Sequence, residues 1–158
     1  MPDYDVRILG KEKVLAKIAH KKMQITSGIH LGVVKATRSL KQGVVANASR
    51  TDYSLNELED MGYPYARRDP HPPLEPPWLV HTRSGKLVSA IMSFTHKESW
   101  GSLGRVYIDA TIAPHAPAVL FGTTRMIGRD FLRETRIIMS AQIRKTIVDT
   151  LRLEVRGG

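Results

Sequence analysis

The feature that most constrains this chain is an apolar stripe of helical period through its first third. Leu15, Ile18, Ile25, Ile29, Val33, Ala36, Leu40 and Val44 recur at steps of three and four, or of seven where Lys22 interrupts them. That spacing puts them on one side of an α-helix. The predicted helix runs from about Lys11 to Ala48, on the order of 55 Å at 1.5 Å per residue. Gly28, Gly32 and Gly43 each cost about 1 kcal/mol relative to alanine inside a helix, so Ser27-Gly28 is where a kink or break would fall. A helix this long in a chain of 158 residues must overhang its own core or pack against a neighbour.

The remainder divides into a stiff segment, a β-rich segment and a closing helix. Tyr4 to Leu9 alternates, with Tyr4, Val6 and Ile8 opposite Asp5 and Arg7, as a short strand would. Ser54 to Gly62 predicts a short helix with a Ser54/Glu57 capping box and a glycine stop. Residues 64–77 hold six of the nine prolines. Proline fixes φ, lacks an N–H donor and drives the preceding residue toward extended conformations, so this segment is expected as an extended arm. Leu87 to Thr95 predicts a strand buried mainly on one face, with Val88, Ala90, Met92 and Phe94 opposite Leu87, Ser89, Ile91, Ser93 and Thr95. A turn at Trp100 to Gly104, a second strand over Val106 to Ala110 and a third over Ala118 to Phe121 complete an antiparallel meander. From about Arg129 to Val155, Leu132, Met139, Ile143, Ile147 and Leu151 share one face of a final helix. The expected architecture is one α+β domain over 1–158: a long N-terminal helix, a small antiparallel sheet of three to four strands, and a C-terminal helix packed on the sheet. No internal repeat is evident.

Charge is distributed unevenly. The net charge is +9 overall, with +7 on residues 1–50, −4 on 51–80, and +3 on each of 81–128 and 129–158. Positive charge gathered on one element attracts polyanions. Lys13, Lys17 and Lys21 lie one turn apart on a common face of the long helix and are the candidate polyanion-facing residues. The bland alternative is a solvated face whose lysine stems cover apolar surface. No helix-turn-helix, zinc-finger or RNA-recognition motif is present, so any nucleic-acid contact is expected to be independent of base sequence.

Catalytic chemistry finds no support. The chain has no cysteine, which excludes disulfides, zinc-thiolate sites and cysteine nucleophiles and fits a reducing compartment. None of His20, His30, His71, His81, His96 and His115 forms the i, i+4 pair of a zinc protease. Glu57, Glu59 and Asp60 are neighbours on one polar turn, not two carboxyls in unlike environments across a cleft. Gly101 to Gly104 lacks the lysine of a phosphate loop, and Ser84, Ser89, Ser93 and Ser99 lack a nucleophile elbow. The expectation is a protein that is not an enzyme, with no cofactor or metal. No signal peptide and no membrane-crossing run is recognisable, so a soluble protein is expected.

Three ordered motifs carry a resemblance. Arg83-Ser84-Gly85-Lys86-Leu87-Val88-Ser89-Ala90-Ile91 resembles the signature of the tail-component family of tailed bacteriophages, the neck or tail-completion proteins related to minor tail protein Z. Pro114 to Thr123 is similar to that family's Pro-Tyr-Ala…Val-Glu-Phe-Gly-Thr stretch, and Arg129-Asp130-Phe131-Leu132-Arg133 to its Arg-Pro-Phe-Leu segment. Leu55 to Ala66 also looks like a Gly-His-Pro-Tyr-Ala element of some members. His115, Leu120 and Asp130 depart from the family's tyrosine, glutamate and proline, and Asp130 is expected to cap the final helix instead. The resemblance covers about residues 54–135. It implies a structural virion protein that forms a homo-oligomeric ring, of six subunits, in the head-to-tail connector or neck. Its implied partners are a head-closure or adaptor ring and tail terminator or tail-tube proteins, with genome DNA passing through the bore; the implied location is the virion, after synthesis in the host cytoplasm. The alternatives are a tail terminator ring, or a sequence-independent nucleic-acid-binding protein using the basic helix. Tyr63, Tyr65, Trp78, Phe121 and Phe131 are the candidate core or assembly anchors, with Phe121 and Phe131 expected first in the core of their own subunit.

Overall fold

The computed structural model describes residues 11–49, 55–60, 80, 84–98 and 100–156. The expected strand at Tyr4 to Leu9 and the proline arm at 64–77 lie outside them, as do Tyr63, Tyr65 and Trp78.

Helix α1 spans Lys11–Ala48 without interruption, so no kink falls at Ser27-Gly28. The glycines that weaken its propensity are instead the places where another helix comes close. Helix α5, Phe131–Arg156, runs antiparallel along α1. A Cβ on Gly28 would stand 3.1 Å from Leu151 Cδ1 and 3.1 Å from Glu154 Cβ, and one on Gly32 only 2.9 Å from Ile147 Cα. Gly43 sits under Thr135 and Met139. Removing side chains from this stripe lets the two backbones approach, which offsets the cost of glycine through dispersion contacts along the seam. Polar contacts mark both ends of the pairing. Asn47 Nδ2 donates to Thr135 Oγ1 at 2.7 Å, and Lys21 Nζ donates to the Val155 carbonyl at 3.1 Å.

The β structure is smaller than the sequence predicts. It is one two-stranded antiparallel hairpin, β1 (Ile91–Lys97) and β2 (Ser102–Ile108), in register from Ile91↔Ile108 to Lys97↔Ser102. The expected strand at Leu87 begins later, because Gly85 in the left-handed region (φ 72°) starts a helical turn, α3 (Lys86–Ser89). The expected third strand at Ala118 to Phe121 is helix α4 (Ala116–Phe121), with Pro117 in its first turn. Proline is preorganised for a helix start and unfit for a central strand, and that outweighs a short apolar run. Helix α2 (Leu55–Asp60) forms where its capping signal lies.

Helix α1 is the spine of the described fold. One face carries Gly28, Gly32 and Gly43 beneath α5; an adjoining face carries His30, Val33 and Thr37 beneath the hairpin. The C-terminal helix therefore packs chiefly on α1 and not on the sheet as expected. The buried apolar cluster lies at the C-terminal end of α1 and comprises Val44, Ala48, Val80, Leu87, Ala90, Ile91, Ala113, Ala116 and Phe131. Asp130 Oδ1 accepts the Arg133 N–H at 3.0 Å, so an aspartate caps α5 as the sequence predicts.

Candidate assembly surface

The fold leaves apolar residues uncovered on α5, where Ile137, Ile138, Val148 and Leu153 are exposed, and on three further surfaces. The first is the N-terminal part of α1. Because α5 ends near Lys21, residues 11–20 are exposed throughout, Ile18 at 59% and Val14 and Leu15 similarly. Lys13 and Lys17 stand on this overhang, and Lys21 lies at its inner edge, where its ammonium donates to the Val155 carbonyl. Lys17, Lys21 and Lys22 border a shallow groove whose apolar floor is Ile18 and Ile25.

The second surface is the outer face of the hairpin. Directly opposed residues of an antiparallel pair share a face, so Ser93, Thr95, Ser102, Gly104 and Val106 form one face, and Phe94, His96, Leu103, Arg105 and Tyr107 the other. The first of these, which also carries Ile91 and Ile108 at its core end, is the one against α1. His30 Nδ1 lies 3.2 Å from Ser102 Oγ, and Gly104 packs on Val33 and Thr37. Phe94, Leu103 and Tyr107 consequently point outward, with Phe94 stacked on His96 at a centroid distance of 6.0 Å. Alternation in β2 places Val106 and Ile108 on this inward face, whereas in β1 Met92 and Phe94 fall on the outward one. Gly104 within the strand is the usable signal, since a strand glycine marks a close backbone approach.

The third surface is the tip of α4 and the loop after it. Gly122, at φ 78°, turns the chain where a Cβ would lie 2.6 Å from Gly128 N and 2.7 Å from the Met126 carbonyl. Thr123 N–H donates to the Met126 carbonyl at 2.8 Å, and Thr123 Oγ1 accepts the Arg125 and Met126 N–H groups. Arg129 N–H donates to the Val119 carbonyl at 2.8 Å, closing a compact loop. The product is a tightly built base carrying Phe121, which is 79% exposed. Phe121 is therefore not in the core of its own subunit, contrary to the sequence expectation, whereas Phe131 is fully buried there. The N–H of Gly122 bonds to Ala118, ending α4 just before the glycine and leaving Phe121 on its last turn.

Among the described residues no group of three or more His, Cys, Asp or Glu could hold a metal ion, and no helix is long and apolar enough to cross a membrane. Among the described residues a carboxyl held below its usual range is that of Asp109, which accepts the Thr111 hydroxyl at 2.6 Å and the Thr111 N–H at 2.9 Å. It stabilises the turn after β2. Comparison with protein-family models, curated protein sequences and solved structures finds no match to this chain.

Proposed function

We propose that this chain is a structural protein of a tailed bacteriophage virion. In this reading it forms a ring in the head-to-tail connector, or at the top of the tail, that joins head to tail and lets DNA pass. The observation that carries the reading is uncovered apolar surface on three separate elements: Ile18 and Ile25 on α1, Phe94 and Tyr107 on the hairpin, and Phe121 at the end of α4. Isolated exposed apolar residues are ordinary, but large side chains grouped on several faces mark surfaces that a partner covers. Several different patches on one chain suit a head-to-tail arrangement, in which each subunit meets its neighbours through unlike surfaces and a closing rotation makes a ring. The three ordered sequence motifs supply the phage context.

Native mass spectrometry and negative-stain imaging of the purified chain test this directly. Rings of defined stoichiometry are expected, and deletion of 64–77 is expected to abolish them. A chain that stays monomeric at high concentration, with or without that segment, sinks the proposal. The competing polyanion-binding role of Lys13, Lys17 and Lys21 predicts DNA retention that falls steeply between low and moderate salt.

A further inference from the structure

We propose that the outward face of the hairpin, together with the arginine-bordered cleft beside it, binds single-stranded nucleic acid. This goes beyond the ring reading and does not depend on it. Two unlike apolar patches, at Ile18 and Ile25 on α1 and at Phe121 on α4, remain for neighbouring subunits.

The first observation is where the hairpin keeps its aromatic rings. Residues 91–108 contain Phe94, Trp100 and Tyr107, and all three are exposed, Trp100 at 78% in the turn. Phe94 stands directly opposite Arg105, so Tyr107, two residues further along β2, is its diagonal neighbour on the same face, about 7–8 Å away. The His96 ring stacks on Phe94 with 13° between the planes. The face consists of Met92, Phe94, His96, Leu103, Arg105 and Tyr107, with no carboxylate among them. Flat rings spaced in this way take bases one at a time by stacking. The spacing is about twice the roughly 3.4 Å rise per nucleotide of a duplex strand. Base faces in a duplex are also already stacked on one another, so the ligand that fits is a strand drawn out of its helix.

Charge is the second observation. A cleft between β2, the end of α4 and the start of α5 is floored by Leu40, Val106 and Leu132 and bordered by Arg105, Arg133 and Arg136. The three arginines are exposed, and none forms an ion pair with another described residue. Asp130 also lines the cleft, but its carboxylate accepts the Arg133 N–H at the start of α5. Arg105 belongs to both surfaces, so the cationic border continues directly from the aromatic face. Guanidinium groups bind phosphate oxygens through paired N–H donors and stack on flat rings. A second copy of this chain, itself at net charge +9, would bring more positive charge to a face that has no acid to receive it. A polyanion with flat apolar groups satisfies both the rings and the arginines, and stacking is tolerant of base identity, so the binding is independent of sequence.

Fluorescence anisotropy with a labelled thymidylate oligonucleotide of about 20 nucleotides tests the assignment. The matching duplex and a uridylate of the same length are the other arms, the second telling DNA from RNA. The single strand is expected to bind at least about tenfold more tightly than the duplex and to quench tryptophan emission, an effect that Trp100→Leu removes. Phe94→Leu with Tyr107→Leu keeps apolar surface but removes the flat rings. It should weaken single-strand binding at least about tenfold with an unchanged circular-dichroism melt, whereas Phe94→Tyr retains the binding. Arg133→Gln with Arg136→Gln should lower the affinity and flatten the slope of log affinity against log salt by about 1.4. No single-strand binding at low salt, or a duplex bound as tightly as the single strand, overturns the proposal. If Lys13→Glu with Lys17→Glu abolishes binding while the hairpin variants keep it, the nucleic acid lies on α1 and the proposal is wrong. It is equally wrong if the double leucine variant changes the oligomeric state of the nucleic-acid-free chain and leaves oligonucleotide binding intact, because the hairpin face is then a subunit interface.

Discussion

The two most informative glycines in α1 differ in what stands opposite them, and that difference decides the sign of a substitution. Either Gly→Ala change gains about 1 kcal/mol of helix propensity. At Gly32 the new Cβ would meet Ile147 Cα at 2.9 Å and its carbonyl oxygen at 3.1 Å. These are main-chain atoms, so α5 as a whole must shift. Overpacking of this kind costs about 1–3 kcal/mol, which exceeds the propensity gain. At Gly43 the closest obstacle is the thioether of Met139, a side chain with three rotatable bonds that can turn aside. Urea denaturation is expected to find Gly32→Ala less stable than wild type by about 1–2 kcal/mol, and Gly43→Ala within about 1 kcal/mol of it. Stabilisation by both would mean that α5 does not approach α1 along this stripe.

Between elements, the turn after β2 depends on a carboxylate. Asp109 accepts the Thr111 hydroxyl and N–H, and these bonds, the hydroxyl's first, favour the charged form and lower its pKa. A carboxyl depressed in the folded state contributes stability that is present above its unfolded value of about 3.9 and is lost as pH falls through the lower folded value. Carboxyl-carbon NMR should therefore place the Asp109 midpoint below about 3.9, and Thr111→Ala should move it upward; an unmoved midpoint would refute the assignment. Which elements the sequence foretells follows from how much pattern each contains. The 38 residues of α1 and 26 of α5 sample the helical period many times, so both ends fall close to expectation. Ala118 to Phe121 offers one apolar run with no period, and the deciding residue is Pro117 just before it. The hairpin is foreseen at the level of strands, but its orientation is not. Which face is inward depends on how closely α1 can approach Gly104, a tertiary fact that alternation does not encode.

At the scale of the molecule, burial and exposure separate two phenylalanines that the sequence treats alike. Phe131 begins α5 at the centre of the only large apolar cluster among the described residues, with no exposed surface. Phe121 stands ten residues earlier, held out by the Gly122-Gly128 packing and 79% exposed. Truncating a fully buried phenylalanine removes its transfer free energy and leaves a cavity, a loss of about 3–5 kcal/mol. Truncating an exposed one removes little from the fold of the single chain, within about 0.5 kcal/mol. Its effect should fall on association, because a large aromatic held on a tightly bonded loop reaches a partner with little ordering entropy left to lose. Phe131→Ala is thus expected to lower the melting temperature sharply whatever the protein concentration. Phe121→Ala should leave the melt at low concentration unchanged and shift the oligomer distribution toward smaller species at high concentration. The pair also tests the loop as the cause of the exposure. Gly122→Ala forces a Cβ into Gly128 N and the Met126 carbonyl, so it should reproduce the association defect of Phe121→Ala although the aromatic ring is still present. If Phe121→Ala unfolds the isolated chain as Phe131→Ala does, the ring is buried in the folded subunit and the loop does not present it.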